Sequence, residues 1–232
     1  QTLSTIAPHT IEEAYEVADA IASAEPARIR DELGDLLFQV LLHSQLAREH
    51  GWFDFAEVAA GLRDKLVRRH PHVFGDKAAP DAADLARDWE AHKAAERAEA
   101  GIGGALAGVP KALPALVRAA KLGRRAARVG FDWQDEKAVR PKIAEELRET
   151  EKAVQDNDAA AVAEELGDTL FALVNWARLL HVDPESALRG ANEKFERRFA
   201  IMEALIGVRG LAVMELSAQQ WEQLWIEAKA AK

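Results

Sequence analysis

Apolar residues recur along this chain at spacings of three and four, and no stretch sustains the every-second-residue alternation of a half-buried strand. Capping residues, Gly and Pro cut the pattern into helices. Thr10-Ile11-Glu12-Glu13 reads as a capping box that opens a helix running to about Ala24. Pro26 suits the first turn of a second helix, which runs to about His50 and stops at Gly51. A third follows Asp54 and ends before Pro71, and a fourth covers about Ala83 to Ala100. The stretch from Gly101 through Pro114 is rich in Gly and Pro and predicts a linker. Beyond it, helices are expected at about Ala115–Val129, Ala138–Gln155, Ala159–His181, Pro184–Val208 and Ala218–Lys229. Asp158 and Ser217 are their N-caps where one is evident, with Gln220 completing a box with Ser217. Pro141 fits its helix only in the first turn. The expectation is an all-α protein with an N-terminal domain over 1–100, a linker over 101–114 and a C-terminal domain over 115–232.

An internal repeat lies on top of this pattern. Glu32-Leu33-Gly34-Asp35-Leu36-Leu37-Phe38 returns as Glu165-Leu166-Gly167-Asp168-Thr169-Leu170-Phe171, and Glu13-Ala14-Tyr15-Glu16 as Glu146-Leu147-Arg148-Glu149. All four acids shift by the same 133 positions. Lys65 through Arg69 matches Lys194 through Arg198, and Trp89 with Lys93 matches Trp225 with Lys229, at slightly different offsets. The chain is a tandem duplication.

Composition narrows the class. With 232 residues, 49% of them hydrophobic and 30% charged, the chain has material for one large core or two ordinary ones. Aromatics are only 6%, which favours helix over strand. No apolar run approaches the roughly 18 residues of a membrane span. There are no cysteines, so disulfides and thiolate chemistry are excluded, and a reducing compartment, the cytoplasm, is the expected location. A net charge of -9 argues against a nucleic-acid binder. A protein this acidic that handles a polyphosphate needs a bound cation and a few local Lys or Arg.

The repeated acids supply such a place. Glu146 and Glu149 are three apart and share a helix face, as do Glu165 and Asp168 on the next helix. With a turn near Asn157, each pair lies roughly 12–16 Å along its helix from the turn, so an antiparallel hairpin brings all four carboxylates to one level. Leu166, Leu170, Leu173 and Val174 form an apolar stripe, which sets Glu165 and Asp168 beside the packed face. Four carboxylates together repel unless a cation sits among them, and an oxygen-only donor set selects Mg²⁺ or Mn²⁺. Taken singly, each pair would read as a solvated helix face. Glu13, Glu16, Glu32 and Asp35 form the matching candidate in the first half.

Lys194 and Arg198 share a helix face, with Asn192 half a turn before, and suit phosphate oxygens. Trp225 and Lys229 share a face of the last helix, and Trp133 precedes the first acidic helix; each Trp is either a base-stacking platform or part of the core. Arg118, Lys121, Arg124, Arg125 and Arg128 form a basic stripe expected to be solvated. His70-Pro71-His72 reads as a helix stop rather than a metal site.

The Glu-Glu-x-x-Glu plus Glu-x-x-Asp quartet, followed by Asn-Glu-Lys-Phe-Glu-Arg-Arg-Phe at 192–199, resembles the MazG family. Arg69 through Phe74 and Val129-Gly130-Phe131-Asp132-Trp133 look like further signatures of it. The resemblance implies two similar helical-bundle domains, a homodimer, and Mg²⁺-dependent hydrolysis of NTPs and dNTPs to NMP and pyrophosphate. It implies that the C-terminal domain works, with Glu146, Glu149, Glu165 and Asp168 on the metal. Asn192, Lys194, Arg198, Trp225, Lys229 and Trp133 would face the substrate, and Glu149, Lys194 and Arg198 would be catalytic. The first half departs from the pattern: Arg63 stands for the Asn, Leu66 for the Phe and His70 for Phe199. The segment that would carry its counterpart of Trp133 falls before Gln1. A scaffolding or dimerisation role is expected there, with its acids Glu13, Glu16, Glu32 and Asp35 still able to hold metal. Two other readings begin from the same acids. A non-enzymatic helical dimer with structural metals stays open. A di-iron oxidase needs Glu-x-x-His pairs, and Lys152 and Asp19 stand where those His would be.

Overall fold

The computed structural model describes residues 1–74 and 103–231. The helix expected over 83–100, with Trp89 and Lys93, lies outside the described residues, as do positions 101–102 of the expected linker. Among the described residues every regular element is helical. These are α1 (Leu3–Ser23), α2 (Pro26–Glu49), α3 (Phe55–Arg69), the single turn α4 (Pro71–Phe74), α5 (Ala115–Ala127), α6 (Glu136–Gln155), α7 (Ala159–Leu179), α8 (Pro184–Arg209) and α9 (Ala218–Ala230). A short 3₁₀ turn, Val213–Glu215, precedes α9 and was not legible as a pattern. The chain divides into two compact units, within 1–96 and 97–232.

Two caps fall where the sequence puts them: Asp158 accepts from Ala160 and Ala161, and Ser217 with Gln220 makes a full capping box on α9. Two expectations are corrected. Helix α1 begins at Leu3, capped by Thr2 with Thr5, so Thr10 lies inside it; there the Thr10 hydroxyl meets His43 Nε2 of α2 at 2.7 Å. Pro141 is the sixth residue of α6, beyond the first turn. Pro8 is likewise the sixth residue of α1. A proline there costs the helix one i→i−4 bond, and packing carries the helix through.

The repeat extends to the element boundaries. Helices α1 and α6 start 133 positions apart, and both hairpins turn on a residue at φ 56, Ala24 and Asn157. Each first helix buries a seven-residue seam: Ile6, Glu13 and Ala20 in α1, and Val139, Glu146 and Ala153 in α6, of which Glu13 alone is only half-buried. The middle seam position of both hairpins is therefore an acid. In the second unit α7 packs on α6 and on α5. The α5 contact is tight: a Cβ on Gly123 would stand 2.2 Å from Asn175 Oδ1. A separate core closes the C-terminal end, where Met202 and Ile206 of α8 meet Leu224 and Ala228 of α9.

The leucine stripe does not pack as expected. Val174 is buried, whereas Leu166, Leu170 and Leu173 are exposed. The buried face of α7 uses Thr169, Ala172, Val174 and Asn175, three of them small or polar, which lets the neighbouring helices approach closely and turns the leucines outward. The basic stripe is also not wholly solvated. Arg125 is buried and donates to the carbonyls of Ala107 (3.0 Å) and Ala105 (3.5 Å), anchoring the segment before α5.

Candidate metal centre

The α6–α7 hairpin brings Glu146, Glu165 and Asp168 together, with a carboxylate oxygen of each within 4.8 Å of the others. Glu146 is only 5% exposed because it occupies the seam position between Val139 and Ala153. Glu165 is half-buried and Asp168 exposed, so the cluster runs from the seam to the surface. Glu149 stands outside this close trio, exposed, one turn from Glu146. It is nonetheless the strongest charge acting on Glu165. Partial burial, then the charges of Glu149, Glu146 and Asp168, push the Glu165 carboxyl above its ordinary range. Crowding of this kind is relieved by a cation. All the donors are oxygens, and one is withdrawn from bulk water. This set fits a hard divalent ion.

The nearest positive charge within the hairpin is Lys142, one turn before Glu146. Its ammonium lies 2.8 Å from a Glu146 oxygen and 2.9 Å from Glu145. Hydrogen bonds to these two acids hold it well above the usual lysine range. Nothing in the sequence pattern singled this residue out; the signal was its i,i+4 spacing to an acid on the buried seam.

The first unit repeats the cluster with a different membership. Glu13, Glu16 and Glu32 converge, while Asp35 is exposed outside the trio. Burial and the neighbouring Glu13 and Glu32 carboxylates push Glu16 up. Position 9, the counterpart of Lys142, is a histidine that pairs with Glu12 at 3.3 Å. Glu13 instead receives the neutral side-chain amide of Gln39, at 3.4 Å.

The residues expected on the phosphate side fall on α8 and α9. The Arg198 guanidinium lies over the Trp225 ring, 5.5 Å from its centre, and Phe195 packs against the same ring at 5.8 Å. Trp225 is thus half-buried at the edge of the α8–α9 core, with one cationic neighbour. Asn192, Lys194 and Lys229 are exposed. No ion pair joins Lys194 or Arg198 to the quartet among the described residues.

Trp133 lines a cleft of about 270 Å³ with Gly130, Phe131 and Asp132. The loop is latched to α7: both guanidinium ends of Arg178 bind the Asp132 carboxylate, one at 3.0 Å and the other closer. Arg178 Nε also donates to Asn175 Oδ1 at 3.2 Å, and Asn175 donates to the Phe171 carbonyl. Arg178 holds the Asp132 carboxyl below its usual range.

A model of the MazG nucleotide pyrophosphohydrolase domain matches residues 1–74 and 134–200. These segments contain both acid quartets, Lys194 and Arg198, but not Trp225 or Lys229. The chain is 46% identical over 231 residues to the nucleoside triphosphate pyrophosphohydrolase of Escherichia coli (strain K12), covering 99% of the chain and 88% of that protein. It is 42% identical over 229 residues to the nucleoside triphosphate pyrophosphohydrolase/pyrophosphatase MazG of Thermotoga maritima, covering 99% and 87%. The nucleoside triphosphate pyrophosphohydrolase of Mycobacterium tuberculosis is 36% identical over 133 residues, 56% of the chain and 40% of that protein.

Proposed function

Because the chain belongs to the MazG nucleotide pyrophosphohydrolase family, we propose that it hydrolyses nucleoside triphosphates, ribo and deoxy, between the α and β phosphates, in the second unit. The observation that carries this is the carboxylate trio of Glu146, Glu165 and Asp168 with Glu149 beside it. Mg²⁺, or Mn²⁺ in its place, would be held by these acids and would neutralise the triphosphate and draw charge from the breaking bond.

The side chains divide the remaining work. Glu149 is outside the close trio and exposed, which leaves an oxygen free to accept the proton of the water that attacks the α-phosphorus. Lys194 and Arg198 offer a point charge and a planar fork to the departing pyrophosphate. Arg198 is already oriented by its place over Trp225. Trp225 and Trp133 supply ring faces for a base, and Asn192 and Lys229 reach the sugar and phosphates. The first unit has a trio of its own, but it lacks the Asn and both Phe of the 192–199 run, and its role is structural.

The proposed enzyme is a homodimer. Both hairpins expose the same stripe to matching extents: Leu33 and Leu166 at 49% and 47%, Leu37 and Leu170 at 53% and 54%. Duplication has kept this apolar face twice, and a two-fold partner would cover it. No helix among the described residues is long and apolar enough to cross a membrane.

The test is product analysis. With Mg²⁺, ATP and dATP should give AMP or dAMP and pyrophosphate in equal amounts, and a chelator should stop the reaction. Release of ADP and orthophosphate, or no turnover at all, would contradict the proposal. Absence of turnover with metal still bound would favour a structural metal site.

A further inference from the structure

Trp133, proposed above as a ring face for the base, stands in a loop whose two ends are fixed by the helices around it. Helix α5 ends on a Schellman pair: the Phe131 N–H donates to the Ala126 carbonyl at 3.1 Å and the Gly130 N–H to that of Ala127 at 3.0 Å, with Gly130 at φ 86. Asp135 opens α6 by accepting from Lys137 and Ala138. Between these ends, Asp132 Oδ1 accepts the Trp133 backbone N–H at 2.9 Å.

That acceptor is itself held. Both terminal nitrogens of Arg178 bind the Asp132 carboxylate, and the two side chains are only 10% and 23% exposed. A fork on a carboxylate fixes orientation as well as distance. Arg178 is fixed in turn: its Nε donates to Asn175 Oδ1 at 3.2 Å, and the buried Asn175 donates to the Phe171 carbonyl at 3.0 Å. Gly123 of α5 gives Asn175 its room, since a Cβ there would collide with Oδ1 and stand 3.1 Å from Arg178 Nε. The contacts therefore run from the α5–α7 packing, through Asn175, Arg178 and Asp132, to the backbone of Trp133. All three guanidinium nitrogens of Arg178 are engaged within the protein. Arg178 also lies ten residues beyond Asp168, roughly 15 Å along α7. Its part is to place another side chain, not to touch metal or phosphate.

The first unit offers a contrast. At the repeat's offset of 133, Leu42 and Gln45 stand where the second unit has Asn175 and Arg178. Leucine offers no acceptor, and the Gln45 amide donates to Glu49 at 2.8 Å.

We infer that Arg178 is a positioning residue for nucleotide binding: through Asp132 it holds Trp133 so that the ring face meets the base. The inference rests on the base-platform reading of Trp133 and names the residue that makes the platform rigid. A ring ordered before the nucleotide arrives loses little freedom on binding, so affinity is gained without a new contact. The phosphates gain nothing from it.

The experiment is calorimetric titration of the full chain, with Mg²⁺, by α,β-methylene-ATP and by inorganic triphosphate, which has no base. Trp133→Ala should weaken nucleotide binding about tenfold, the scale of one stacked base, and Arg178→Met about three- to tenfold. Inorganic triphosphate should bind each variant within about twofold of the parent, a split that general loosening of the fold would not produce. Arg178→Met added to Trp133→Ala should cost nothing further. Arg178→Lys, which keeps the charge without the fork, should resemble Arg178→Met. Asp132→Asn supplies a milder variant should far-UV circular dichroism show Arg178→Met to be misfolded. Nucleotide affinity that Trp133→Ala weakens but Arg178→Met and Asp132→Asn leave unchanged overturns the positioning role. Additive losses in the double variant, or equal losses for inorganic triphosphate, overturn it too. Trp133→Ala without effect removes the base-platform reading and the inference with it. A parent that binds the nucleotide but does not hydrolyse ATP fails the activity reading alone, so the two failures are told apart.

Discussion

A carboxylate placed where packing would otherwise put a leucine or alanine is the residue-scale signature of this molecule. Glu146 and its twin Glu13 hold the middle of a seven-residue seam, and everything chemical is arranged around them. The Asp132–Arg178 latch is the other polar device, and its pH behaviour follows from its sign. Arg178 lowers the folded-state Asp132 pKa, so the contribution is fully present above the unfolded value of about 3.9 and is lost as pH falls through the folded one. Asp132→Asn should therefore cost about 1 kcal/mol at pH 7, a figure discounted for the partial exposure of the pair. That difference should begin to narrow below about pH 4 and close only below the lowered folded-state value; chemical denaturation at pH 7 and pH 3 should show the narrowing. The four acids were legible as residues because duplication preserved them at one offset. Lys142 and the latch were not, since a Lys four before a Glu, or an Asp far from an Arg, is indistinguishable in sequence from ordinary surface charge.

At the scale of elements, the hairpin is the unit that was duplicated, down to its sixth-residue proline and its left-handed turn residue. The turn gives a direct test. Asn tolerates the left-handed region and Ala does not, yet Ala24 and Asn157 share φ 56. Ala24→Gly should raise stability by about 1 kcal/mol, read as an increase in Tm, whereas Asn157→Ala should lower it by a similar amount. Most helices were legible from periodicity and caps. The start of α1 was not, because Thr10 satisfies the capping-box pattern, while in the fold its hydroxyl meets His43 of α2 from inside the helix. The outward facing of the α7 leucines is illegible in sequence for a related reason. Apolar periodicity locates a stripe but does not say whether the chain's own helices or another surface will cover it.

At the scale of the whole molecule, each unit taken by itself leaves its leucine stripe exposed. In the proposed homodimer a two-fold partner covers such a face, and light scattering after size exclusion should then give twice 25.5 kDa. Leu170→Glu should shift that mass towards the monomer at micromolar concentration. A parent protein already monomeric would contradict the dimer. The asymmetry between the two units is the larger consequence: the same fold carries a metal-ready cluster twice, but the Asn-Lys-Phe-Arg-Phe run of α8 appears intact once.

Pyrophosphate release from ATP with Mg²⁺, comparing Glu146→Gln with Glu13→Gln, bears on this asymmetry without intermediates. Glu146→Gln should lower kcat/KM by at least about a hundredfold, as expected when a metal-holding group is lost, while Glu13→Gln should stay within about threefold of the parent. The reverse pattern, or equal losses in both, would mean that the second unit is not the working site.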